Sequence, residues 1–350
     1  MLHQGKTTPR PDCDCARDPI QALEQLFVDL AQRPWINAGQ SPARRAVFLK
    51  PHGCAFGTFT VRPDLPEHLR VGVFRHASFP AWVRFSSDTV PLAPDLRTTL
   101  GMAIKLFAVP GQKLLATEEA APTHDFILQN YDIFFVDNVR EMCEFTYAGV
   151  KLHDYDSYLK THPTTQRILD EMQQEVASAL LSDYWSVLPY AFGPGRYVKY
   201  VVRPLRSGAG GVAHEVDRTN SNYLHDDLKG RLLRDEAHFE FCIQPRTDLD
   251  AMPLDRATVR WDEARSEPIR VATLALPRQD IDAPGQAEYG ENLSYNPWHA
   301  LAEHAPVGSI SEARRVVYKA SADLRRDVNG IPLGEPPRPR KTPPAPAAAG

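Results

Sequence analysis

In residues 18–32, DPIQALEQLFVDLAQ, apolar Leu23, Leu26, Phe27 and Leu30 recur at spacings of three and four, which predicts an amphipathic helix with Pro19 near its start. From about 45 to 128 the pattern shortens. CAFGTFTV, LRVGVF, AWVRFSS, GMAIKLFAV and HDFIL alternate or run apolar, and each predicts a strand. Helical spacing returns at 134–149 and 154–184, the latter with Pro163 and Thr164 as a start signal. Strands follow at GRYVKYVVRPL, AHFEFCIQP and PIRVATLAL. In the second, Phe239, Phe241 and Ile243 form one face and His238, Glu240 and Cys242 the other. A last helix covers about 310–326. Strands at near-regular spacing, with helices before, between and after them, predict an α+β fold: an antiparallel β-barrel with surrounding helices. The expected organisation is a disordered lead (1–17), a single domain (18–330) and a disordered Pro/Ala-rich tail (331–350).

Composition narrows the function classes. Hydrophobic residues make up 43% of the 350, enough for a sizeable core. A net charge of −4 gives no reason to expect nucleic acid or an anionic membrane as partner. No apolar run resembles a membrane span, and the first residues lack a secretory h-region, so cytoplasm is the expected compartment. Cys13, Cys15, Cys54, Cys143 and Cys242 are odd in number and scattered, which does not read as a disulfide framework. The Cys13/Cys15 pair is too small for a structural zinc site without distant ligands.

The first chemical signal lies on the last predicted helix. Offsets of four and seven put Arg314, Tyr318 and Arg325 on one face. A phenol titrates near pH ~10, and nearby guanidiniums favour the phenolate. A buried phenolate is a hard anionic ligand suited to ferric haem iron. Arg and Tyr are also ordinary helix-surface residues, so this triad needs support elsewhere in the chain.

That support comes from three upstream segments. One is Arg44-Arg45-Ala-Val-Phe48-Leu-Lys50-Pro-His52-Gly53-Cys54-Ala-Phe-Gly-Thr-Phe-Thr-Val. Another is Val83-Arg84-Phe85-Ser86-Ser87-Asp88, continued by Asp95-Leu-Arg97 and Gly101-Met-Ala-Ile-Lys105-Leu-Phe107. The third is Asp125-Phe-Ile-Leu-Gln129-Asn130-Tyr131-Asp132-Ile133-Phe134-Phe135. With the R-x3-Y-x6-R helix, in this order and spacing, they resemble the haem catalase superfamily, especially its shorter catalase-like and catalase-related peroxidase members. The resemblance runs from about 44 to 326. Asn292-Leu-Ser-Tyr-Asn296-Pro297-Trp298-His299 also looks like the lead-in to the proximal helix of those members.

The resemblance implies haem b with ferric iron, ligated by Tyr318. Arg314 and Arg325 would hold the phenolate ionised, and Arg45 and Arg84 would pair with the haem propionates. Gln129 or Asn130 would supply a distal amide. Phe134 and Phe135 would either wall the distal pocket or be plain core. The implied function is oxidoreduction of hydrogen peroxide or an organic hydroperoxide. The alternative is a haem-binding carrier, sensor or partner protein without turnover. No nucleic acid or membrane partner is implied. A homodimer is left open, while the long C-terminal portion and arm of the large catalases are not matched.

One departure matters chemically. Three residues after Arg45 and two before Lys50, where the family has its distal histidine, stands Phe48. Phenylalanine cannot move a proton between peroxide oxygens, so rapid dismutation is not expected. His52 would reach the haem only through a bulge or register shift. Other constellations are weaker. His299-Ala-Leu-Ala-Glu303-His304 fits neither zinc-protease spacing, Gly208–Gly211 lacks a phosphate-loop Lys-Ser/Thr, and His225-Asp226-Asp227 reads as a polar loop.

Overall fold

The computed structural model describes residues 14–205 and 215–342. Nine strands form one antiparallel sheet: β1 (Lys50–Val61), β2 (Ser78–Ser87), β3 (Leu100–Leu106), β4 (His124–Gln129), β5 (Tyr184–Trp185), β6 (Tyr190–Ala191), β7 (Tyr197–Pro204), β8 (Ala237–Pro245) and β9 (Ile269–Leu276). Their order is β5-β4-β3-β2-β1-β9-β8-β7-β6, and a β5–β7 pairing closes an eight-stranded barrel with β6 outside the ring. The expected α+β barrel is what forms. Alternate residues turn inward, and the lumen is packed solid with aromatic rings. Phe126 lies 4.7 Å from Phe241 and 4.9 Å from Tyr200, and Phe59 lies 5.0 Å from Phe241 (ring centroids).

Helices cover the outside. They are α1 (Pro19–Glu24), α2 (Arg33–Asn37), α3 (Val139–Thr146), α4 (Tyr155–Thr161), α5 (Pro163–Met172), α6 (Tyr223–Arg234), α7 (Gln286–Asn292) and α8 (Ser309–Val328). The Asp18 carboxylate caps α1 by accepting from Gln21 N, and wider π turns at Gln25–Gln32 carry the helix on to α2. At α8, Asp255 accepts from Ser309 N, and Arg325 and Arg326 sit in the last turn, where the helix dipole favours positive charge.

Several expectations are corrected. LRVGVF is not a strand. It spans two 3₁₀ turns, because Gly72 (φ 50°) passes so close to the His304 ring that a Cβ would lie 2.4 Å from Nε2. The helix expected over 154–184 breaks at His162 and ends at Met172. His225, Asp226 and Asp227 belong to α6 rather than a loop. Gly208–Gly211 lie outside the described residues. Cys15 and Cys143 are joined in a disulfide across 128 residues, so the scattered cysteines do contain a cross-link, and the lead is tied down at Cys15. Cys54 and Cys242 are free and buried. No described helix is long and apolar enough to cross a membrane.

The tail expected from 331 is also anchored, at Glu335 and at Arg340, whose N–H donates to the Tyr289 hydroxyl at 3.2 Å. The Glu335 side chain is fully buried against Lys105, and accepts from Ser294 Oγ at 3.0 Å and Arg326 Nη2 at 3.3 Å. Lys105 also donates to Asp125 at 2.7 Å, and His299 bridges Asp125 (2.7 Å) and Glu118 (2.8 Å). Burial works against a charged His299, but Glu335 and Asp125 outweigh it and raise its pKa to about 9. The cluster is therefore a closed ion network in which cationic side chains already balance the carboxylates.

Candidate functional site

Strand register builds one wall of the site. Cys54, Arg84, Ala103 and Ile127 pair in one row across β1–β4, and Ser86, Gly101 and Gln129 form the next. Their in-between neighbours Val83, Phe85, Met102, Ile104, Phe126 and Leu128 belong to the barrel core, so these rows face outward. α8 provides the opposite wall. Ala313, Arg314, Val317, Tyr318, Ser321, Ala322 and Arg325 follow one another at helical spacing along the cavity side.

Two connected cavities lie between these walls. The larger, about 260 Å³, is lined by Phe27, Phe134, Phe135 and Phe145, with Asp88, Thr99 and Gln129 among its few polar groups. The smaller, about 90 Å³, ends at Arg45, Arg84 and Arg325. Val47, Phe48, Ile127, Leu128, Val317 and Tyr318 line both.

Tyr318 meets Arg314 as the spacing predicts. Arg314 Nη2 donates to the Tyr318 hydroxyl at 3.3 Å, and the guanidinium carbon lies 5.1 Å from the ring centroid. Burial opposes the Arg314 charge, but Tyr318 and Tyr190 more than offset this, and its pKa is raised. Arg325 does not join them. Its Nη2 donates to Leu293 O at 3.1 Å, and it sits with Arg45 and Arg84. Arg314 and Arg325 are eleven residues apart on α8, about three helical turns, so the two arginines serve opposite ends of the cavity system.

At the arginine end, Glu291 of α7 is the counter-ion. Its carboxylate lies 2.9 Å from Arg45 Nη1 and 3.7 Å from Arg84 Nη2. Burial opposes its ionisation, yet Arg45, Arg84, Arg325 and Arg44 together hold its pKa below the usual value. Burial lowers Arg84 to about 10 and lowers Arg325 strongly. The Nε atoms of Arg84 and Arg325 are buried without a hydrogen-bond partner among the described residues.

Phe48 occupies the space between the two ends. Its backbone is left-handed (φ 52°), a strained conformation for a bulky residue, and its carbonyl accepts from Arg84 Nη2 at 2.9 Å. Its ring lies over Gly101, where a Cβ would come within 2.8 Å of Cδ1. His52 is not among the lining residues. The register does shift between Pro51 and Gly53, but the bulge turns His52 to Ser87 Oγ (3.1 Å), on the lumen side of β2, and toward Asp95 (3.9 Å). Burial, with Lys50 next in weight, lowers its pKa to about 3, which makes it a poor base. Of the two amides, Gln129 faces the cavity, donating to Ile133 O at 3.3 Å. Asn130 turns away and accepts from Leu100 N at 2.6 Å.

No family model and no curated protein matches the sequence. Solved structures do. A fungal catalase superposes with a TM-score of 0.59 at 18% identity, over 86% of this chain and 61% of that one. A bacterial catalase gives 0.60 at 16% identity, over 99% of this chain and 69% of that one. The chain has the catalase fold. It spans about 61% of the fungal catalase's length.

Within this catalase fold, the sequence pattern does not point to three of the site's residues. Glu291 gave no signal, because α7 carries it in from outside the matched segments. Asp88 ends the RFSSD segment and opens onto the larger cavity. It accepts from Thr98 Oγ1 at 2.8 Å and Thr99 N at 3.1 Å, and partial desolvation raises its pKa. Gly101 stood in a quoted motif, but its partnership with Phe48 depends on a backbone conformation that no pattern encodes.

Proposed function

We propose that this chain is a haem-dependent oxidoreductase acting on hydrogen peroxide or organic hydroperoxides, of the peroxidase or hydroperoxide-converting type. One observation carries the reading: a single cavity system offers a guanidinium-supported phenol, Tyr318 with Arg314, and at its far end a cluster of buried guanidiniums. That donor set fits haem b. A phenolate suits ferric iron, and the porphyrin carboxylates need buried cationic partners, for which Arg84 Nε and Arg325 Nε have free N–H groups. The fungal and bacterial structures named above are catalases, which supports peroxide as the substrate class.

Haem would supply the redox-active iron that cleaves a peroxide O–O bond. The protein's own part is positioning. Tyr318 would be the iron ligand, with Arg314 holding its hydroxyl, and Gln129 would donate an amide N–H toward a substrate oxygen. Phe27, Phe134 and Phe145 provide an apolar wall that accepts a carbon chain. Phe48 takes and returns no proton, and Asp88 is engaged by Thr98 and Thr99. Dismutation, which needs a proton carried from one oxygen to the other, is therefore disfavoured.

The test is to follow oxygen release from hydrogen peroxide beside consumption of cumene hydroperoxide, using haem-loaded protein. Hydroperoxide loss with little oxygen is expected. Rapid oxygen evolution would overturn the non-dismutating assignment, and no loss of either peroxide would favour a carrier or sensor.

A further inference from the structure

Arg45, Arg84 and Arg325 converge on the smaller cavity, with Glu291 as their one carboxylate among the described residues. Arg326 is engaged elsewhere, with Glu335. Two buried guanidiniums, Arg84 and Arg325, and the half-buried Arg45 face one anion, an excess of positive charge that the described residues do not cancel. Buried charge of this kind is stable only when something else neutralises it. Glu291 Oε1 and Arg45 Nη1 stand 2.9 Å apart, yet neither has a hydrogen-bond partner among the described residues, so the pair is close without being aligned.

The position of Glu291 is informative. It lines an open cleft of about 930 Å³ on the far side of Arg84, together with Gly290, Asn292 and His225. Arg84 lines both that cleft and the smaller cavity. The Arg84 guanidinium is thus placed between a resident carboxylate on the cleft side and whatever anion enters from the cavity side, where Arg45 and Arg325 also line the wall.

Resting on the haem reading above, we propose that Glu291 is a built-in counter-charge that sets affinity for the cofactor's carboxylates. In the ligand-free chain it neutralises part of the arginine cluster and keeps it folded. In the loaded chain it competes with the incoming carboxylates for the same cations. Removing its charge should therefore weaken the empty protein and strengthen carboxylate binding.

Equilibrium titration of the ligand-free protein with ferric protoporphyrin IX and with its dimethyl ester, for wild type and Glu291→Gln, tests this. Glu291→Gln should bind the diacid about tenfold more tightly, with the diester unchanged, because only the diacid meets the altered charge. Its ligand-free melting temperature should fall. Glu291→Asp keeps the charge for folding but withdraws it from Arg45, and should show a smaller gain in the same direction. Equal or weaker binding of the diacid by both variants overturns the proposal while leaving the haem reading intact, as does an equal gain for the diester. Failure of wild type to bind either porphyrin overturns the haem reading and this proposal with it.

Discussion

Arg314 donates to the Tyr318 hydroxyl at 3.3 Å from one helical turn away, with its guanidinium carbon 5.1 Å from the phenol ring centroid. A charge-assisted bond of this kind contributes about 1.5–3 kcal/mol. Arg314→Gln should keep a donor but lose the charge. Haem affinity is expected to fall by about tenfold or more, and the ligand-to-metal absorption band to shift, in a titration followed by absorption.

On the proposed haem reading Phe48 would take the place where proton transfer is served, and its backbone is left-handed, a conformation that histidine adopts more readily than phenylalanine. Phe48→His should therefore be accommodated. With the cofactor bound, oxygen release from hydrogen peroxide should rise by about 10²-fold or more, the usual contribution of a positioned acid–base group. A variant that keeps its haem spectrum without any rise would contradict the assignment.

Gly101 makes room for that ring. Gly101→Ala would put a methyl 2.8 Å from Phe48 Cδ1, and overpacking of this sort costs about 1–3 kcal/mol. A lowered melting temperature is expected. Pairing it with Phe48→Leu should restore most of the loss, since the shorter side chain vacates the contact.

The barrel and the last helix were legible because their apolar periods are unambiguous, as with Phe239, Phe241 and Ile243 turning into the lumen while His238 and Glu240 turn out. The proximal triad was legible only in part. Helical spacing places Arg314, Tyr318 and Arg325 on one face, but cannot say that Arg325 extends to Leu293 O and leaves Tyr318 to Arg314. His52 shows the limit from the other side. A bulge or register shift is the condition for its use, yet the bulge that forms directs it to Ser87 and the lumen, which depends on strand pairing rather than composition. The Cys15–Cys143 bridge and the Glu335 anchor join residues far apart in sequence, where local pattern carries no information.

The ion network around His299 gives a pH prediction. Its folded pKa, about 9, lies above the ordinary 6.5. The folded state therefore binds the proton more tightly, and this stability is fully present below about pH 6.5 and lost as pH rises through 9, amounting to roughly 3 kcal/mol. Glu335 and Glu118 are lowered instead, so their contribution is present above about pH 4.5 and lost on acidification. Melting temperature should hold between these limits and decline from pH 6.5 to 9. His299→Gln should flatten that alkaline decline.

The central claim is that Tyr318 is the iron ligand of a haem held between α8 and the outer face of β1–β4. The direct measurement is the absorption spectrum of haem-loaded wild type beside Tyr318→Phe. A ferric, tyrosinate-type spectrum is expected for wild type, with its loss in the variant. An unchanged spectrum in Tyr318→Phe would contradict the account.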